Sequence, residues 1–427
     1  MKKLLLLAVS LVSLAVLPSF AEKVKLTQMV SQDWTTEADE DLAKAFTKET
    51  GVEIEWQVNP SAQHHDLLKT KLNAGEGPDI FWIQSNKWTV KTDIDAPQNC
   101  IDFSKETWVK TMPPAKIESV SYNGKVYGQG YFVKGVSFPI IYNKTLFKEL
   151  GLSVPKTYVD FKKVCEAIKT KGVVPVYECV PAGWHHVLWV MQIGDRFSEL
   201  QPGIVDKLNA NKTKLSDVIG FKTAIVQLQE MVKKGYFGTD YMDNSYDNWA
   251  SNLATRKAAM FVQKSGEINA LSKDYPACKD EFGAFLIPLV DAQTAQADPD
   301  GPARFGYSKS KHQKEIKQYF AFLARKENIQ YKLDHTPGMT AIDVADSVGV
   351  EQHYLPAEKA LFASIPKSKG TGIIWQDSVS YVNDQWMDVG KDLASMFMGQ
   401  MTPEQVVSAI DERRAKIAKA AGDTAWK

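Results

Sequence analysis

Cysteine is scarce in this chain. Cys100, Cys165, Cys179 and Cys278 are the only four in 427 residues. Their spacings match no zinc or iron–sulfur pattern, which argues against a core built on metal. An excess of either charge is also missing: 51 Lys and Arg balance 51 Asp and Glu. Without a basic stripe, nucleic acid is a poor partner. Beyond the first 21 residues no apolar run reaches the length of a membrane span. The nucleophile elbow, the phosphate-binding loop and the His-Glu-x-x-His helix are all absent. Gly128 and Gly130 begin a Gly-x-Gly, but Val133 stands where a dinucleotide loop needs glycine. His64-His65 and His185-His186 are adjacent pairs, whose side chains diverge in a strand or a helix and chelate poorly. No catalytic residue, metal ligand or cofactor is therefore assigned. A pair of carboxylates for glycoside hydrolysis has no sequence spacing of its own, so a secreted glycoside hydrolase stays as an alternative.

What is present begins at the N-terminus. Lys2 and Lys3 precede an uncharged apolar stretch from Leu4 to Leu17, followed by Pro18-Ser19-Phe20-Ala21. Basic start, short apolar run and small residues before the cut describe an export signal, cleaved after Ala21. No cysteine follows the run to take a lipid, so the expected mature protein is free in the periplasm. Export permits disulfides: Cys165 and Cys179 could pair, or all four cysteines could stay free and buried.

The expected mature chain opens on a strand at Lys25–Val30. Thr36 and Asp39 form a capping box, and Ala38, Leu42, Ala45 and Phe46 fall on one helical face ended by Gly51. Val52, Ile54, Trp56 and Val58 alternate as a half-buried strand. A helix over Asp66–Ala74 and an apolar strand at Asp79–Ile83 follow. The same pattern returns with strands over Val136–Tyr142, Val173–Cys179, Lys257–Gln263 and Glu281–Ile287. Helices are predicted over Tyr158–Lys171, Phe221–Lys234 and Gln313–Glu327. Thr402-Pro403-Glu404-Gln405 starts a last helix that runs to about Ala420. Alternating strands and helices imply an α/β protein in two lobes, each a mostly parallel sheet flanked by helices. Ligands of open α/β sheets sit beyond the carboxyl ends of the strands. Those ends are Ser31–Trp34, Gln84–Asn86, Glu178–Trp184 and Lys264–Glu267.

Several blocks, in order, resemble the extracellular solute-binding proteins of ABC-type carbohydrate importers, the group that includes maltose-binding protein. They are Gly77-Pro78-Asp79-Ile80-Phe81, Tyr122-Asn123-Gly124-Lys125-Val126-Tyr127-Gly128, Ile141-Tyr142-Asn143-Lys144-Thr145-Leu146-Phe147 with Gly151-Leu152 and Pro155-Lys156-Thr157, and Lys257-Ala258-Ala259-Met260-Phe261. The resemblance implies two lobes of the type II binding-protein fold joined by a multi-strand hinge. The first would hold residues 22–134 and 287–333, the second 135–286 and 334–427. It implies a monomer that takes a sugar or oligosaccharide into the interlobe cleft, closes, and delivers it to permease subunits in the inner membrane. A binding protein of the same fold for a polyamine or a phosphorylated polyol is the other alternative.

A sugar offers hydroxyls at its edge and C–H groups on its faces, so its site needs flat aromatic rings and fixed polar partners. Trp34 lies in a loop outside any apolar periodicity. Gln84, Ser85 and Asn86 follow a strand end, and Tyr131 lies at the first crossover. Trp184 and Trp375 correspond to family positions that carry stacking aromatics. Ser265-Gly266-Glu267 departs from the family, many of whose members have tryptophan there; Ser265 and Glu267 would offer polar contacts instead. Trp249, beside Ala250 and Leu253, reads as core packing.

Overall fold

The computed structural model describes residues 23–426, apart from 33, 87, 299 and 367–370. The export signal thus lies outside the described residues. Among those residues no helix is long and apolar enough to cross a membrane.

Two sheets organise the chain. The first has the order Glu53–Asn59, Lys25–Ser31, Ile80–Gln84, Pro302–Gly306, Gly128–Gln129. Its first three strands are parallel, with Met29 beside both Gln57 and Phe81. The second has the order Phe282–Phe285, Ile140–Asn143, Ala258–Val262, Val174–Val176. Only the pairing of Ala258–Val262 with Val174–Val176 is parallel there; the other two are antiparallel. The mostly parallel expectation fails in this sheet for a topological reason. Ile140–Asn143 carries the chain away from a crossover and Phe282–Phe285 carries it back towards one, so they must run oppositely. Pro302–Gly306 is antiparallel to Ile80–Gln84 on the same ground.

Each sheet has its own core. Leu26, Phe46, Phe81, Phe103, Phe305 and Phe320 belong to the first, and Ile140, Phe161, Trp189, Phe221, Met260 and Ile410 to the second. The chain passes between cores after Tyr131, after Ala292 and after Val344. Ile287, Leu289 and Ala292 pack in the second core and Ile342 and Val344 in the first, so both later passages lie downstream of 287 and 334. Short ladders tie the crossing segments together. Phe132–Val133 pairs antiparallel with Ile342–Asp343, and Ala295–Ala297 pairs parallel with Thr371–Ile373.

Local chemistry accounts for the element ends. Thr36 and Asp39 make the reciprocal cap of Glu37–Thr50, and Gly51 closes that helix at φ 77°. Thr402 and Gln405 cap Pro403–Ala420 in the same way. All four cysteines are free. Cys165 packs in the main second-lobe core, while Cys179 packs in a separate cluster around Phe261. Trp249 is buried there too, stacked on Phe261 at 5.5 Å.

Candidate functional site

On the second-lobe side the site grows from the carboxyl end of Ala258–Val262. His185 directs Nε2 at the Val262 carbonyl at 2.8 Å and Nδ1 at the Glu178 carboxylate at 2.6 Å. Both ring nitrogens thus face acceptors. Glu178 also accepts from the Cys179 N–H and from Trp189 Nε1, each at 2.8 Å. Burial works to raise the Glu178 carboxyl, but His185, His186 and the Cys179 N–H hold it below its usual range. The ligand atoms of Glu178, Cys179 and His185 lie within 4.8 Å of one another. With both His185 nitrogens committed and the Cys179 thiol pushed up by burial, this trio is a hydrogen-bonded cluster rather than a metal cage. The cluster anchors the half-buried Trp184, whose ring packs against His185 at 5.3 Å, Tyr246 at 5.2 Å and Phe138 at 6.3 Å. Gln263 donates to the Tyr246 hydroxyl at 2.5 Å, and Lys264 Nζ stands 5.7 Å above the Phe138 ring.

The first-lobe side is built at the start of Glu37–Thr50. Trp34 meets His64 edge-on at 5.3 Å, and His64 hydrogen-bonds the Trp82 carbonyl at 2.7 Å. Beneath lies a buried charge cluster. Asp39 accepts from Arg304 at 2.6 Å and from Lys332 at 2.5 Å. Arg304 also lies 4.2 Å over the Trp82 ring. Burial alone would raise the Asp39 carboxyl, but the two cations keep it low.

The lobes touch through the turn after Lys326–His335. A Cβ on Gly266 would lie 1.8 Å from the Gly338 carbonyl oxygen, and one on Gly338 would lie 2.1 Å from a Glu267 carboxylate oxygen. Only glycines permit this approach. Glu267 is accordingly desolvated, and its carboxyl is raised. Ser265 and Thr340 both donate to Glu358 at 2.8 Å, which fastens the same turn to the second lobe.

A second buried cluster gathers around Asp298 and Asp300. Asn86 donates to Asp300 at 2.5 Å, and the Ser85 hydroxyl donates to the Gly301 carbonyl at 2.9 Å. Lys116 donates to Ser85 at 3.0 Å and to the Asp300 backbone carbonyl. Asp377, from the second lobe, hydrogen-bonds Asp298 and Asp300. Burial raises the Asp300 carboxyl to about 7 and lowers the Lys116 ammonium to about 7.

These contacts sort the candidate residues. Trp34, Gln84, Trp184 and Glu267 remain partly exposed. Ser85, Asn86 and Ser265 are buried and use their side chains to hold crossing segments. Tyr131 is buried with its hydroxyl on Thr111, and burial raises that phenol to about 12. Trp375 requires correction. It is 0% exposed, with Phe197 and Phe221 rings at 5.0 and 6.1 Å, so neither indole face is open to a solute. Trp375 opens the short helix Trp375–Ser378 rather than lying in a loop, and its side chain turns inward to close the core over Gly194, where a Cβ would meet the Trp375 backbone at 2.7 Å. Sequence reasoning missed Phe138, Tyr246, Gln263, Arg304 and Lys332. A charged residue inside a strand, as Arg304 is, was the available signal.

The model of the bacterial extracellular solute-binding protein family matches residues 32–330. The multiple sugar-binding protein of Streptococcus mutans is 29% identical over 299 residues, a match that spans 64% of either chain and so under two thirds of that relative. The melibiose/raffinose/stachyose-binding protein MelE of Bacillus subtilis is 24% identical over 79% of this chain and 80% of its own. A sugar transporter from Bacillus licheniformis, solved in complex with stachyose, shares the fold with a TM-score of 0.74 at 17% identity, over 92% of this chain and all of that one.

Proposed function

Because the chain belongs to the bacterial extracellular solute-binding protein family, we propose that its solute is a sugar or oligosaccharide held between the lobes. The observation that carries this reading is Trp184: a partly exposed indole at the carboxyl end of the second-lobe strands, held by the buried His185–Glu178 hydrogen bond and rimmed by Tyr246 and Lys264. Such a ring offers an apolar face to sugar C–H groups, while the rim offers donors and acceptors to the hydroxyls. Trp34, Gln84 and Glu267 add further partners on the two sides of the cleft. The named solutes of the relatives, multiple sugars and the melibiose series, agree with this chemistry.

In the full reading the chain is exported and cut after Ala21. It acts as a free periplasmic monomer, closes on the sugar and delivers it unchanged to the permease subunits of an ABC importer. The test is a thermal-shift screen with raffinose, stachyose, xylo-oligosaccharides and chito-oligosaccharides, followed by chromatography of the recovered sugar. A ligand that binds only the folded state raises the melting temperature, by about 2.7 kcal/mol of stabilisation at a hundred times Kd. A stabilising sugar recovered intact supports the reading. Stabilisation by spermidine or glycerol 3-phosphate alone would replace it with the non-sugar alternative, and a hydrolysed sugar would replace it with catalysis.

A further inference from the structure

The stretch from Trp375 to Gln385 brings the second lobe against the first. Trp375, Val379 and Val382 pack in the second core. Between them, Tyr381 forms a cluster with Ala418 and Trp426, and Trp88 of the first lobe packs on that cluster. Two carboxyls of this stretch face acids beyond it. Asp377, buried, hydrogen-bonds Asp298 and Asp300, while Asn86 and Lys116 of the first lobe hold Asp300 from the other side. Asp384 meets Thr89 and Asp93 of the first lobe. Its Oδ1 is buried without a partner. Asp93 is already engaged by His65 at 3.4 Å and Lys69 at 3.6 Å. At two separate places, then, acid is set against acid where the lobes meet.

Two carboxyl groups hydrogen-bond each other only while one of them keeps its proton, and like charges this close disfavour ionisation. Burial first, then Asp300 and Asp298, hold the Asp377 carboxyl well above its ordinary range. Burial first, then Asp93, raises the Asp384 carboxyl to about 7. The remaining charged neighbours do not cancel this. Lys116 faces Asp298, Asp300, Asp377 and Asp343, but burial lowers its ammonium to about 7, so its charge fades as the carboxyls ionise. Lys264 reaches Asp298 alone. We propose that the two acid contacts form a proton-operated latch: protonated, they hold the lobes together, and ionised, they repel and release them. In separated lobes the carboxyls return towards their ordinary value of about 3.9. A group whose value is higher in the joined form favours that form in acid and withdraws its support as pH rises through the raised value, here from about 7 upward. The inference depends on the two lobes and not on which solute they capture.

The experiment is small-angle scattering of the unliganded protein at about pH 5.5 and about pH 8.5, on either side of the value through which Asp300 and Asp384 titrate. Wild type is compared with Asp377→Asn, Asp384→Asn and the double variant. Asparagine keeps the shape and can donate a hydrogen bond, but it cannot ionise. The lobes touch at Gly266 and Gly338 in the joined form, so release reads out as expansion. Wild type should show a larger radius of gyration at the higher pH and return to the smaller one on acidification. The double variant should keep the smaller radius at both. Melting curves at each pH show that every sample is folded. If the double variant fails to fold, the single variants decide, and each should reduce the expansion. A wild-type radius that does not change with pH overturns the inference. Expansion that persists undiminished in the folded variants also overturns it and assigns the change to other groups, His65 first among them. Either result leaves the proposed function standing.

Discussion

Trp184 and Trp375 carry the same indole into opposite environments. Both follow glycine-containing segments, and the sequence resemblance implied a stacking role for both. Trp184 keeps part of its ring open beside Tyr246 and Phe138. Trp375 is 0% exposed between Phe197 and Phe221. Trp184→Ala should weaken sugar binding by about tenfold or more, the usual cost of a central anchor, and leave the unliganded melting temperature nearly unchanged. Trp375→Ala should instead cost about 3–5 kcal/mol of stability with little effect on intrinsic affinity. Calorimetry and melting curves on the two variants separate these roles. A sequence shows that a tryptophan follows a glycine-containing segment; which way its ring turns depends on partners such as Gly194, nearly two hundred residues away. Charge around Asp298 and Asp300 makes a second prediction at this scale. Burial first, then Asp300 and Asp298, hold the Asp377 carboxyl well above its ordinary range. A carboxyl whose folded value is raised contributes stability below its unfolded value, about 3.9, and loses it as pH rises through the raised one. Asp377→Asn, which cannot ionise, should therefore gain in melting temperature over wild type between pH 5 and pH 8. A constant difference across that range would count against the assignment.

Whole elements follow the same division between local and distant causes. The helices at Glu37–Thr50 and Pro403–Ala420 are legible because their capping boxes lie within four residues of sequence. The strand expected over Val173–Cys179 is ordered only as Val174–Val176. Glu178 there turns its carboxylate onto the Cys179 N–H and His185, a choice fixed by tertiary partners. The helix expected over Gln313–Glu327 ends at Leu323, and a new one starts at Lys326. Its successor ends in the turn that carries Gly338 to the second lobe. Because the Gly338 oxygen leaves no room for a Cβ on Gly266, Gly266→Ala should force this contact apart. Small-angle scattering of the unliganded variant should give a larger radius of gyration than wild type, and sugar affinity should fall. Identical curves and affinities would show that the contact does not control the lobes.

At the scale of the molecule, the alternation of strands and helices announced two α/β lobes, and the structure has two sheets with separate cores. The passages between them were less legible. They are set by which core buries Ile287 or Ile342, and both residues are simply apolar in the sequence. Family membership and fold support a solute held between lobes; the chemistry around Trp184 supports a sugar. The outer surface of the second lobe offers a rival location, an open groove of about 380 Å³ along Gly151–Lys156 and Lys163. The most direct test is the crystal structure of this chain with the sugar that stabilises it most. The account predicts that sugar between the lobes, touched by residues of both cores, with one ring face against Trp184. A sugar seated in the outer groove, or against one lobe with Trp184 untouched, would contradict it.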